Sequence, residues 1–93
     1  MPDRIAPSDL YLQLHGQLGV INGLLHRVAA SAADYKLYDP ETLEADTLGD
    51  ATTGPETYEA VLRELDLVDT ALKATDAAYR RVLDEASRLY LKD

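Results

Sequence analysis

Between Leu10 and Ala33 the chain carries a single charged side chain, Arg27, while its apolar residues keep a helical period throughout. Tyr11, Leu14, Leu18, Ile21, Leu25, Val28, Ala32 and Tyr35 recur at alternating steps of three and four, which marks one face of an α-helix and not the alternation of a strand. A second stripe of the same kind runs through Tyr58, Val61, Leu65, Val68, Leu72, Thr75, Tyr79, Val82, Ala86 and Leu89. Sequential helices joined by a short connection become antiparallel neighbours. The expected fold is therefore all-α, an antiparallel helical hairpin of two long helices with a short helix in the connection. A surface helix of a small protein normally carries a charged face, so a first helix almost without charge is expected to be surrounded by protein.

Local signals set the expected boundaries within a single domain covering residues 1–93. Ser8, ahead of Asp9 and the first apolar residues, reads as an N-cap, and the first helix is expected over 8–38. The connection repeats itself: Pro40-Glu-Thr-Leu-Glu-Ala45 is echoed by Pro55-Glu-Thr-Tyr-Glu-Ala60. Both copies place proline at a helix start and acids in the first turn, where they complement the helix dipole. A short helix is expected over 40–47, a Gly-, Asp- and Thr-rich loop over 48–54, and the second long helix over 55–92. Arms of such unequal length differ by about 15 Å at 1.5 Å per residue, so one end of the second helix is expected to project, exposing Ala86, Leu89 and Tyr90.

The apolar surface exceeds what one hairpin can hide. Leu62, Leu67, Ala71, Ala74, Ala78 and Leu83 widen the face of the second helix, and Leu10, Leu12, Val20 and Leu24 widen that of the first. Dimerisation into a four-helix bundle is the economical solution. The expected interface comprises Leu12, Gly16, Gly19, Gly23, His26 and Ala30 on the first helix, with Leu62, Leu67, Leu89 and Tyr90 on the second. Three glycines inside a helix cost roughly 1 kcal/mol each relative to alanine, and close approach by another helix would offset that.

The net charge of −8 is concentrated between Asp34 and Glu59, where eight acids face one base, Lys36. That field repels nucleic acid and anionic lipid, keeps a protein in solution and suits a basic protein partner. The expected partners are a second copy or a similar helical protein, with a basic protein as the alternative and no nucleic acid. No cysteine is present, so disulfides are excluded. Gln13, His15, Gln17, Asn22, His26 and Arg27 interrupt the one long stretch of low charge, which argues against a membrane span or a cleavable signal peptide. The expected location is the cytoplasm, or the exterior by a route without such a peptide.

Catalytic signatures are thin, and no cofactor is expected. His15 and His26 are separated by about 16 Å of helical rise, too far to share one metal ion, and neither has a carboxylate three or four residues away. The glycines lie in a helical pattern, not in a phosphate-binding loop after a strand. The acids of the second helix pair with bases at i+4: Glu59 with Arg63, Asp69 with Lys73, Asp76 with Arg80, Asp84 with Arg88. These describe a solvated face. Tyr35 and Tyr58 are expected to meet where the arms join. The function expected on these grounds is that of a non-catalytic protein–protein interaction module; an acidic inhibitor of a basic partner is an alternative.

Two family resemblances bear on this. The segment from Ile5 to Leu10, two long helices without cysteine and Leu48-Gly-Asp50 ahead of the second resemble the helical-hairpin substrates of actinobacterial type VII secretion, the Trp-x-Gly and related families. That resemblance implies export, with Tyr79 and Asp84 as the candidate export signal, although Tyr79-Arg-Arg-Val-Leu-Asp84 is one residue longer than the family's Tyr-x-x-x-Asp/Glu element and the chain has no tryptophan. Tyr35-Lys-Leu-Tyr-Asp-Pro-Glu41 and Arg81-Val-Leu-Asp-Glu-Ala-Ser87 resemble segments of the all-helical chorismate mutases. This implies a small enzyme binding a dicarboxylate through Arg and Lys, for which the first two helices offer only Arg27 and Lys36.

Overall fold

The computed structural model describes residues 5–45 and 53–92. Two long helices, α1 (Pro7–Tyr35) and α2 (Gly54–Ala86), pack as an antiparallel hairpin, and a 3-10 turn, Pro40–Thr42, lies in the described part of the connection. No strand occurs among the described residues. The molecule is a rod of 67 × 24 × 15 Å with a radius of gyration of 20.5 Å, against about 12 Å for a compact domain of this length.

The α1 start departs from the sequence expectation. Ala6 is the N-cap, without a side-chain cap bond, and Pro7 occupies the first helical position, so Ser8 lies inside the first turn. Proline's fixed φ and missing N–H suit that position, where the N–H would be unpaired in any case. At the other end α1 stops at Tyr35 instead of residue 38. Asp39 precedes Pro40 and is held extended at φ −82° and ψ 119°, because a residue before proline is excluded from the helical region.

Of the short helix expected over 40–47, the described residues 40–45 form a 3-10 turn at 40–42 and no α-helix; residues 46 and 47 lie outside the described residues. Asp39 organises the turn: its side chain accepts from the Glu41 N–H at 3.1 Å, and its carbonyl accepts from the Thr42 hydroxyl at 2.7 Å. Leu43 is extended, and Ala45 is the last described residue of that segment. The two echoing segments share a start signal and differ in the residues after it. Tyr58 and Val61 continue a stripe that packs on α1, whereas past Leu43 the first copy has no comparable face to bury, and helices take most of their stability from such packing. The loop expected over 48–54 lies mostly outside the described residues, but Gly54 itself is helical.

At the α2 start Thr53 is the N-cap, accepting from the Glu56 N–H at 3.2 Å while its hydroxyl donates to the Glu56 carboxylate at 2.9 Å. Gly54 is buried where the chain crosses itself. A Cβ there would collide with the Leu43 carbonyl group and lie 2.9 Å from the Glu44 nitrogen, so only glycine fits without moving backbone. The helix ends at Ala86, with Ser87 as C-cap, six residues short of the expected 92. Ala86 and Ser87 lie against Pro7 and Ser8, where α1 begins, and beyond them no second helix remains to pack on. The arms thus differ by four residues, about 6 Å of rise, and the expected projection of α2 by about 15 Å is not formed; Leu89 and Tyr90 are exposed in non-helical chain.

Two hydrogen bonds between the arms set the register. The Tyr58 hydroxyl donates to the Tyr35 carbonyl at 2.8 Å, and the Tyr79 hydroxyl donates to Gln17 Oε1 at 3.0 Å. Midway, the Asn22 amide donates to the Leu18 carbonyl at 3.1 Å and stands beside Asp76. Between these ties the seam is apolar but thin. Among the described residues the buried apolar side chains are Leu18, Tyr58 and Leu83, and none is fully enclosed.

Candidate functional site

Leu18 is the most buried residue of α1 and faces α2, which fixes the orientation of the whole helix. Residues on the far side form an outward face made of Asp9, Leu12, Gln13, Gly16, Val20, Gly23, Leu24 and Arg27. Leu12 is 65% exposed, Val20 70% and Leu24 42%. Of the expected interface residues, Leu12, Gly16, Gly19, His26 and Ala30 are exposed and Gly23 is half-buried. Nothing lies within 4 Å of a Cβ built on Gly16, Gly19 or Gly23. The three glycines of α1 therefore make no close contact within the hairpin.

The α2 members divide. Leu67, Leu89 and Tyr90 are exposed, but Leu62 is half-buried in a groove between the helices with Val28, Ala32 and Leu65. It belongs to the seam of the hairpin, not to the outward face. At the open end, a shallow cleft of about 350 Å³ is lined by Pro7, Tyr11, Leu12, Ala86 and Leu89, and it joins the outward face through Leu12.

The charges lie elsewhere. Asp69 pairs with Lys73 at 2.8 Å and Asp76 with Arg80 at 2.9 Å. Arg88 pairs with Glu85 at 3.4 Å instead of Asp84, and among the described residues no ion pair joins Glu59 to Arg63. Hydrogen bonding and attraction to Asp69 hold the Lys73 ammonium above its usual pKa. The Arg80 guanidinium holds the Asp76 carboxyl below its usual value, the Asn22 amide adding to this against partial desolvation. On α1, Asp9 and Arg27 have no ion-pair partner among the described residues.

The remaining candidate residues do not converge. His15 stacks loosely on Tyr11, ring centroids 6.2 Å apart, and no group of three metal-ligating side chains occurs among the described residues. Lys36 sits in the inter-helix groove with Asp66 and Asp69, while Arg27 points from the outward face. Tyr79 is engaged by Gln17 within the hairpin, and Asp84, five residues on, is exposed on a different side of α2. No described helix is long and apolar enough to cross a membrane. Leu12, Gly16 and Gly23 of the outward face were among the positions expected from spacing, whereas Gly19 and His26 lie toward its edge; the isolation of Asp9 and Arg27 was not legible, although both sit two and a half turns from Leu18 in the sequence. Comparison with protein-family models, curated proteins and solved structures finds no match to this chain.

Proposed function

We propose that this protein is a non-catalytic interaction module, a helical hairpin that completes its core by packing against a second helical protein. The observation that carries this reading is the ratio of core to surface. The chain exposes 7425 Å², against about 5,300 Å² for a compact monomer of 10.2 kDa, and among the described residues the buried apolar side chains come from three positions. A core that small does not support a domain of this length by itself. An enzyme of the mutase type would need cations gathered around one cavity, and Arg27 and Lys36 lie on opposite sides of α1. A role in type VII secretion is one form of this reading, favoured by the hairpin architecture.

Sedimentation equilibrium or light scattering at micromolar concentration tests the reading. A mass of about 20 kDa or above is the expected result, or, for a heterologous partner, a 10 kDa chain that melts without a cooperative transition. A 10 kDa species that unfolds in one sharp transition would overturn it.

A further inference from the structure

The outward face of α1 is self-complementary about Leu18. Asp9 lies nine residues before Leu18 and Arg27 nine residues after it. Nine residues are two and a half helical turns, so both charges stand on the side directly opposite buried Leu18. Leu12 and Leu24 are each six residues from the same midpoint, Gly16 and Val20 each two. If a second α1 is laid antiparallel on this face with its Leu18 at the same level, each residue comes level with its counterpart. Asp9 faces Arg27 on the centre line, the Val20 side chain lies against the open space over Gly16, and Leu12 and Leu24 come level on opposite flanks of the contact.

We propose that this face docks a second copy of the chain, α1 against α1 in antiparallel register, with two Asp9–Arg27 ion pairs about 27 Å apart closing the ends of an apolar contact. The inference rests on the interaction reading above and names its partner. Charge complementarity selects the occupant: the chain's only charged residue between Leu10 and Ala33 and the acid at the start of α1 are unpaired among the described residues of the protomer, and a two-fold axis pairs them twice. The excess of the whole rod's surface over a compact monomer, about 2,100 Å², leaves room for the roughly 800 Å² per partner that a stable interface buries. The acids of α2 belong to the helix packed on the Leu18 side of α1, opposite the contact.

Charge reversal tests the register. Asp9→Arg places like charges at both ends of the contact, as does Arg27→Asp, and each is expected to raise the dissociation constant of the dimer by about tenfold or more at low salt. Mixing the two variants in equal amounts restores an opposite-charge pair at each end, so the mixture is expected to form a heterodimer at the wild-type concentration. Both positions are exposed on the helix surface, and circular dichroism of each variant at high concentration checks that helicity is kept. A wild-type dimer that both reversals leave unchanged, or single variants that the mixture does not rescue, overturns this docking while leaving the interaction reading in place. So does a wild-type monomer without cooperative unfolding, which lacks a different partner. A cooperatively folded wild-type monomer overturns both.

Discussion

The Tyr58 hydroxyl donates to the Tyr35 carbonyl at 2.8 Å, tying the second turn of α2 to the last turn of α1. That carbonyl also accepts from the Tyr38 N–H at 3.1 Å, so one oxygen fixes the end of the helix and the closure of the hairpin together. Tyr58 is among the few buried side chains of the described residues.

Tyr58→Phe keeps the ring and removes the bond. The Tyr35 carbonyl retains the Tyr38 N–H, so it is not orphaned, and the loss is that of an ordinary hydrogen bond, about 0.5–1.5 kcal/mol. Chemical denaturation of the variant beside wild type is expected to show that decrease. Tyr58→Ala, which also empties the space of the ring, is expected to cost about 3–5 kcal/mol. Equal losses in the two variants would place the whole contribution in the hydroxyl.

Gly54 is required by tertiary contact. A Cβ at this position runs into the Leu43 carbonyl group and the Glu44 nitrogen, backbone atoms that cannot rotate aside as a side chain could. Gly54→Ala therefore overpacks a buried crossing and is expected to destabilise by about 1–3 kcal/mol, although alanine is the better helix former by roughly 1 kcal/mol. A raised melting temperature would show that the connection moves away freely.

That crossing also marks how far the sequence could be read. The stripes beginning at Tyr11 and Tyr58 disclose two helices and their pairing, because a period of three and four over several turns has one physical reading. The ends were less legible. Ser8 is a good cap by composition, but Pro7 can begin the helix one residue earlier, and both signals stand side by side. Pro40 and Pro55 open identical-looking segments, and only the packing of Tyr58 and Val61 on α1 separates a helix of 33 residues from a turn of three. Leu12, Gly16 and Gly23 of the outward face of α1 were visible in the sequence as part of a row of uncharged positions. The relation of that face to Asp9 and Arg27 depends on knowing that Leu18 faces inward, which the structure supplies.

Acid and base are expected to weaken the hairpin at different positions along α2. The folded-state pKa of Asp76 is lowered by Arg80, so its contribution is present above the unfolded carboxylate pKa and is lost as pH falls through the lower folded value. Lys73 is raised by Asp69, so its contribution is present below the unfolded lysine pKa and is lost as pH rises through the higher folded value. Thermal melts between about pH 5 and pH 2 should show a smaller decline for Asp76→Asn than for wild type. Lys73→Gln should flatten the alkaline limb and leave the acid limb alone. An acid limb unchanged by Asp76→Asn would assign the loss to other carboxylates.

The glycines of α1 give opposite signs according to what covers them. A Cβ on Gly16 or Gly19 meets nothing within the protomer, so in an isolated hairpin each alanine or leucine would stabilise the helix by up to about 1 kcal/mol, some 4–8 °C in melting temperature. Gly16 lies at the centre of the proposed contact, facing Val20 of a second copy, whereas Gly19 lies toward its edge. Gly16→Leu is expected to overpack the contact by about 1–3 kcal/mol, lowering the melting temperature and returning the mass toward 10 kDa in sedimentation. Gly19→Ala is expected to raise the melting temperature with the mass of the assembly kept. If both substitutions raise it and neither changes the mass, the outward face of α1 is free, and the partner surface must be sought on α2.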